Sequence, residues 1–571
     1  MALASTSARR RVFSFALAET LRATSYRLRA SPFYWLRYSS RIPDRLLIAP
    51  TDLRTADGTC ASDIYVGRFI LAGKLVETGR NSVFSVPAPN EEWLRELNEF
   101  SWLRHLRASD MTRAREKSRA LIDEWLQFSG RSGIAFEPEV IAKRVIAWLS
   151  QSPMILDGCD YPFYQRFIQS LTRQVHRLRR VASLAPAGMP RMRTAIALVS
   201  AALAMAGRER FIRQAARWLD NELAIQVLPD GGHVSRNPGA VLELLADLLP
   251  VRQAFTARGI PPSRALTAAI DRMMPMLGFF RHGDGSFARF NGMDEMPSDL
   301  VATVLAYDES RSMAPQSAPQ SGYQRLTGGS TLVLVDVGKP PAIAVSAKAH
   351  AGCLAFEMSI GEQHLIVNCG HPGSNERLRR FARTTPAHST VALNDTSSCR
   401  FLTEPPLSER LGEVVTSGPS NVALERADSE DATTLLARHD GYVERYGIIH
   451  ERRLKLSASG DRLEGNDSFL TPAGNPLGRT GKDSFAIRFH LHPTVDATRM
   501  EGGRTIELSL PDGEVWAFDV ALGEAIIEES VFFSAVRGNL ASSQIVVYGR
   551  PQASPATAWR LRRLAGGGRR L

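Results

Sequence analysis

The sequence predicts two large domains: a helical half that closes into a ring or incomplete α/α toroid, followed by an antiparallel β-sandwich. Three observations carry this. At 571 residues the chain is too long for one ordinary core, and its 44% apolar content excludes a largely disordered polymer. From about residue 91 to residue 280 the apolar side chains recur at helical spacing. Beyond a Pro-, Ser- and Gln-rich stretch at 312–322 the pattern changes to short β-branched runs.

In the helical half, Trp93, Leu97, Phe100 and Leu103 make one stripe, and Ile141, Val145, Trp148 and Leu149 another. Further helices are expected over 113–128, 161–185, 191–206, 208–226, 239–258 and 262–280, separated by breaks such as Pro186-Ala187-Gly188 and Pro229-Asp230-Gly231-Gly232. Helices of similar length joined by short turns become antiparallel neighbours. A series of such hairpins makes a ring or a solenoid, and periodicity does not separate the two.

Residues 1–85 read as a basic, irregular segment packing on this domain, which spans 86–311. Arg9, Arg10 and Arg11 precede an apolar stretch that meets Glu19 and Arg22 too early for a clean export signal, so a basic amphipathic helix is the reading.

Residues 312–322 form the linker, and 323–571 the sandwich. Strands are expected over 331–337, 342–346, 354–359, 364–369, 485–490, 505–510 and 515–520. Pro511-Asp512-Gly513-Glu514 is a hairpin turn, because Gly supplies the positive φ that a tight turn needs.

The formal net charge of +11 favours an anionic partner, yet the arginines are scattered along helices instead of forming one tract. Without zinc-finger spacing, an RNP-like strand or a basic zipper, nucleic acid is excluded as the partner. No apolar run reaches transmembrane length. Five dispersed cysteines read as buried free thiols, and nothing sets an oligomeric state.

Three places gather chemistry. The loop from Leu228 to Pro238 holds His233, Arg236 and Asn237: an imidazole, a bidentate anion binder and an amide. The competing reading, favoured by spacing alone, is a capping turn. A second loop, Arg281 to Asn291, brings Arg289 and Asn291, and the β half offers Lys348, His350 and His388. His490 and His492, two apart on one strand face, have no third metal ligand nearby.

Trp93-Leu-Arg-Glu-Leu-Asn-Glu-Phe-Ser-Trp-Leu-Arg-His-Leu106, the Asp230-Gly-Gly-His233 loop, Ala349-His-Ala-Gly-Cys-Leu-Ala-Phe-Glu-Met358, Leu365-Ile-Val-Asn-Cys-Gly370 and Arg383-Thr-Thr-Pro-Ala-His-Ser-Thr390 resemble the heparinase II/III-like proteins in order and spacing. The resemblance runs from roughly residue 30 to the C-terminus. It implies an α/α toroid joined to an antiparallel sandwich, and β-elimination of a uronate-containing glycan in a cleft between them. It also implies a periplasmic or cell-envelope location, with the cytoplasm as the alternative left by the N-terminus.

The match departs from the family at three points. The catalytic tyrosine expected after the Asp-Gly loop is replaced by Pro238-Gly239-Ala240. The His-x-His-x-Asp arrangement that holds a structural zinc reads Lys348-Ala-His350-Ala-Gly352, so no metal or other cofactor is expected. The His-Asn pair reads His388-Ser389.

The chemistry requires a neutralised carboxylate, a base for the C5 proton and an acid for the departing C4 oxygen. The expectation is therefore a lyase on an acidic polysaccharide. His233 or His350 exchanges protons, Lys348 is a replacement base, His388 assists, and Arg236, Asn237, Arg289 and Asn291 hold the substrate. The alternative is a non-catalytic protein that binds acidic glycans on the same fold. A third reading is a glycoside hydrolase using Asp230 and Asp284.

Overall fold

The computed structural model describes residues 6–29, 45–128, 133–207, 209–308, 313–373, 375–478, 481–534 and 537–565. Helices α1 (Thr6–Arg29) and α2 (Gly58–Tyr65) and a hairpin of β1 (Arg68–Leu71) with β2 (Lys74–Glu77) precede the main helical array. The described part of the first 85 residues is thus more regular than expected. Asp57 caps α2, its side chain accepting from the Thr59 and Cys60 amides. Phe69 of β1 meets Trp102 edge to face, ring centroids 5.5 Å apart. Along α1, the Arg22 guanidinium donates to the Leu184 carbonyl at 2.7 Å.

The array comprises α3 (Glu91–Glu99), α4 (Met111–Phe128), α5 (Pro138–Ser150), α6 (Ser152–Leu156), α7 (Tyr161–Val181), α8 (Met189–Ala204), α9 (Glu209–Gln226), α10 (Pro238–Ala257), α11 (Arg264–Phe280) and α12 (Ser298–Leu305). Residue 208, the expected start of α9, lies outside the described residues. Composition sorts the helices into two layers. On α8 every residue from Thr194 to Ala204 is buried, whereas α7 and α9 bury one stripe each. Accordingly α3, α5, α8, α10 and α12 pack side by side as an inner layer, with α7, α9 and α11 behind them. The result is a two-layered arc.

The β half begins with β3 (Ser317–Ala318), β4 (Tyr323–Gly328), β5 (Thr331–Asp336), β6 (Phe356–Ile360), β7 (Gln363–Val367) and β8 (Val391–Leu393). A short helix, α13 (Glu376–Ala382), lies between β7 and β8. There follow β9 (Arg400–Phe401), β10 (Val415–Ser417), β11 (Val422–Asp428), β12 (Ala432–Tyr442), β13 (Ile448–Ser457), β14 (Arg462–Leu470) and β15 (Phe485–Leu491). The last are β16 (Asp496–Arg499), β17 (Thr505–Ser509), β18 (Val515–Val520), β19 (Ala525–Ser534), β20 (Gly538–Gly549) and β21 (Ala556–Ala565).

Two large antiparallel sheets result, with β9 and β10 paired separately. One runs β19-β20-β15-β7-β6-β5-β4-β3, with β8 also on β15; the other runs β11-β12-β13-β14-β21-β18-β17-β16. The hairpin expected at 511–514 joins β17 to β18, with Gly513 at φ 84°. Strand β5 explains its own unbroken apolar run. Leu332 and Leu334 point into the helical core and Val333 and Val335 into the sandwich core, so both faces are buried.

Two expectations are corrected. Residues 342–346 form no strand, because Pro340-Pro341 leads into a single 3-10 turn at Ile343–Val345, closed by the Ser346 hydroxyl on the Ile343 carbonyl at 2.9 Å. The stretch 313–322 is not a free linker: β3 pairs with β4, and Ser321 is held by the helical domain. Residue 312 lies outside the described residues.

Candidate functional site

The Asp230 loop, read as a site, is a fastener between the domains. Asp230 accepts from the Ser321 amide at 2.6 Å and from its hydroxyl at 2.7 Å. Glycine is required at 231 and 232, where a Cβ would come within 1.9 Å of the Arg272 carbonyl oxygen and of Ser321 Oγ respectively.

Arg236 is buried rather than offered to a substrate. Its guanidinium donates to the carbonyls of Ser321 (2.7 Å), Lys339 (3.0 Å) and Gly322 (3.1 Å), pairs with the Asp336 carboxylate, and lies 4.8 Å over the Tyr323 ring. Asn237 caps α10, its Oδ1 accepting from the Gly239 amide at 2.8 Å, as the capping-turn reading held. His233 is 2% exposed, and burial pushes it down to about 4. The Ser235 amide donates to its Nδ1, so Nε2–H faces Gln226 Oε1 at 3.1 Å and both nitrogens are engaged. None of the three is free to bind or turn over a substrate.

The second loop also docks on the sandwich. His282 reaches Glu357 (3.2 Å) and Ser359 (2.8 Å), while Asp284 meets His364 at 3.0 Å. With Asp230 on Ser321 and Asp284 on His364, the hydrolase pair is engaged at separate contacts. Arg289 is half-buried, 4.0 Å over Phe532, and donates to the Phe533 carbonyl. Asn291 holds the Tyr323 hydroxyl (2.7 Å) and Asp336 (3.2 Å) through Nδ2, and accepts the His350 amide at 3.2 Å through Oδ1. Its expected substrate contact is therefore replaced by a link from the fastener to His350.

That link positions a histidine relay. His388 Nδ1 lies 2.8 Å from the Thr384 carbonyl, which only accepts, so Nδ1 carries the proton and Nε2 the lone pair. His350 Nδ1 sits 3.0 Å from His388 Nε2 and donates to it. Burial, reinforced for His350 by His388 and Arg383, pushes both rings below the ordinary imidazole range, so both are neutral at pH 7. The lone pair of the relay is left on His350 Nε2, which makes no hydrogen bond among the described residues.

A zinc does not fit here. The two ring nitrogens face each other across a hydrogen bond, and at Gly352, where the family places an aspartate, a Cβ would meet His388 Cδ2 at 2.8 Å.

Around the relay stand charged groups. Lys348 is exposed, without the burial a lysine base requires, and its expected role as base is withdrawn. His371, which sequence reasoning missed, takes the Gly373 amide on Nδ1 at 3.2 Å and lies 3.7 Å from Asp294. Burial is the first cause that lowers it, with Lys348 and Arg379 adding to the effect. Arg379 of α13 pairs with Glu92 of α3 at 2.9 Å across the domains. The only sequence signal for His371 was a histidine between Gly370 and Pro372 at the end of a strand.

The strip from Asn291 leads to Met296 and Leu300, on the rim of a hollow of about 970 Å³ enclosed by α5, α8, α10 and the segment 50–71. Arg193 bridges Glu139 and Glu243 on its wall, Lys143 meets Glu99 at 3.0 Å, and Arg54 meets Asp247 at 2.8 Å. Burial alone would raise Glu139 and Glu243, but Arg193 and Lys143, with Lys348 beyond, hold both below their ordinary value. Lys348 thus stands between the relay and the hollow. Among the described residues no tyrosine lines the hollow, and Tyr323 is buried with its hydroxyl on the Arg236 carbonyl.

Comparison with known proteins agrees with this architecture. Residues 311–560 match the heparinase II/III-like C-terminal family. The fold is similar to heparinase III (TM-score 0.67, 11% identity, 99% of this chain and 92% of that one) and to heparan sulfate lyase HepC of Pedobacter heparinus (0.60, 14%, 99% and 92%). The FtsZ-localized protein C of Caulobacter vibrioides is 31% identical over 535 residues, covering 92% of this chain and 91% of that protein. On these matches and this architecture, the chain belongs to the heparinase II/III-like family.

Proposed function

We propose that the chain is a polysaccharide lyase-like protein that cleaves a uronate-containing glycan by β-elimination, with His350 as the base. The observation that carries this reading is the relay, which presents an unprotonated Nε2 on a ring fixed by His388 and Asn291. His350 takes the C5 proton, the C4–O bond breaks, and the electron pair forms the C4–C5 double bond. With the family's tyrosine absent, the imidazolium of His350 returns the proton to the departing oxygen on the same face of the sugar. In this reading His371, whose charge is felt at His350, and Lys348, whose charge is felt at His371, face the uronate carboxylate.

The test is ultraviolet absorbance of the unsaturated uronate product over a panel of uronate glycans. The reading expects signal from the intact chain and its loss in a folded His350→Gln variant. Signal unchanged in that variant, or none from any glycan, overturns it.

A second reading is a non-catalytic glycan-binding protein placed beside FtsZ. It is favoured by the likeness to a protein named for localisation to FtsZ and by the missing tyrosine. Helix α1 supports a location at the cell envelope. Phe13, Leu17, Leu21 and Leu28 are 51–70% exposed on a helix that also exposes Arg9, Arg10, Arg11, Arg27 and Arg29. A helix lying on an anionic membrane surface carries this combination. No described helix is long and apolar enough to cross a membrane. A fluorescent fusion that tracks FtsZ, and loses the envelope in Phe13→Glu with Leu17→Glu, supports this reading; diffuse signal from the intact chain overturns it.

A further inference from the structure

The sheet that holds β11 to β14 has a groove of about 650 Å³ on its outer face, across β13, β14, β21, β18 and the start of β17. Strand β5 buries one face against the helices and the other in the sandwich core, so this groove lies on the side of the sandwich away from the helical domain. Alternation decides what lines it. Leu454 and Leu456 turn into the core and send Arg453 and Lys455 outward, and Trp559 and Leu561 do the same for Arg560. The floor is flat because Trp559, 2% exposed, lies against Gly465, where a Cβ would come within 2.0 Å of its ring. Ala558 and Ala521 continue it.

Four Lys and Arg side chains line the groove against two carboxylates, and both carboxylates already have arginines. Asp519 accepts from Arg560 at 3.0 Å, Arg562 at 2.8 Å and the Thr505 hydroxyl at 2.9 Å. Glu464 lies 3.4 Å from Arg462 and opposite Lys455 in the strand register. The side chains of Arg453, Lys455 and Arg504 enter no hydrogen bond or ion pair among the described residues. Arg453 and Lys455 stand on β13 and Arg504 beside β17, four strand spacings away, or about 20 Å.

This layout selects its occupant. The apolar residues of the groove are two alanines and the buried Val520 and Trp559, which leaves a protein partner without the exposed aromatic or aliphatic anchor it needs. A single sugar or small anion meets one wall at a time. A stiff polymer with carboxylates on successive sugars reaches both walls together, and each further contact is then intramolecular. We propose that the groove is a second binding site for the acidic polysaccharide, one that holds the chain without cutting it. This rests on the glycan reading above and adds a remote grip to it.

The experiment is calorimetric titration of the intact chain with polygalacturonate, galacturonic acid and poly-L-glutamate, repeated on the triple variant Arg453→Gln, Lys455→Gln, Arg504→Gln. Polygalacturonate is expected to bind, to weaken with added salt, and to lose about tenfold in affinity in the triple variant, while the monosaccharide binds far more weakly to both. All three positions are exposed, and a melting curve confirms that the variant keeps its fold. Equal affinity in the variant, or no binding of polygalacturonate to the intact chain, overturns the inference. Poly-L-glutamate binding more tightly than polygalacturonate through the same three residues overturns it in favour of an acidic protein partner. The glycan reading is decided separately, by the ultraviolet signal, which the triple variant is expected to retain.

Discussion

His350 Nδ1 and His388 Nε2 lie 3.0 Å apart, and the Thr384 carbonyl behind His388 fixes which nitrogen of each ring holds its proton. The pair therefore acts as one oriented base, with His388 as a positioning residue. His388→Leu is expected to lower the kcat of any lyase activity on the order of tenfold to a hundredfold with KM little changed, and His388→Gln, whose amide oxygen can accept the same proton, to recover most of it. Equal losses in both variants would show that the second ring only fills space.

The pH profile follows from the same geometry. Burial holds His350 below the ordinary imidazole range, so its basic form is present well into the acid range. The acid limb of kcat/KM is expected to fall below pH 6.5, the ordinary value. Half-loss of activity at that value would mean a solvated histidine carries the chemistry instead.

Arg236 and Asp336 are expected to matter for folding. Removing one partner of a buried pair strands the other charge, at a cost of about 3–5 kcal/mol, so Asp336→Asn should lower stability by that order in urea denaturation. A change below about 1 kcal/mol would place this contact among the weak surface pairs.

Acid sensitivity of the fold has a definite sign. His233, held down to about 4 by burial, binds its proton less readily folded than unfolded. Its stability contribution is present above about pH 6.5 and is lost as pH falls toward 4, amounting to about 3 kcal/mol across that window. Urea midpoints taken between pH 7 and 4.5 should fall, with a shallower slope in His233→Asn. An unchanged slope would assign the acid loss to the other buried imidazoles.

Gly352→Asp tests whether the family's metal arrangement can be restored. A Cβ there lies 2.8 Å from the His388 ring, so the variant is expected to melt at lower temperature and to take up no zinc by metal analysis. A stoichiometric zinc would show that the ring swings aside and the donors converge.

How much of this was legible in the sequence follows from range. Local rules set the helices and most strands: Ser263 accepts the Leu266 amide at the head of α11, Asn237 caps α10, and Gly513 turns the β17–β18 hairpin. Each depends on residues a few positions apart, and the sequence displays them directly. The runs around His350 and His388 were legible as contiguous motifs for the same reason.

Tertiary structure alone decided which polar residues are free. Arg236 and Asn291 look like substrate grips in sequence, and only the arrival of Ser321, Tyr323 and Asp336 from the sandwich consumes their donors. The hollow's charge is likewise a sum over segments far apart in the chain, from Asp52 to Asp299. Composition reports a basic chain, yet the acids that line the hollow outnumber the bases, because burial and pairing act on positions in space rather than on totals along the chain.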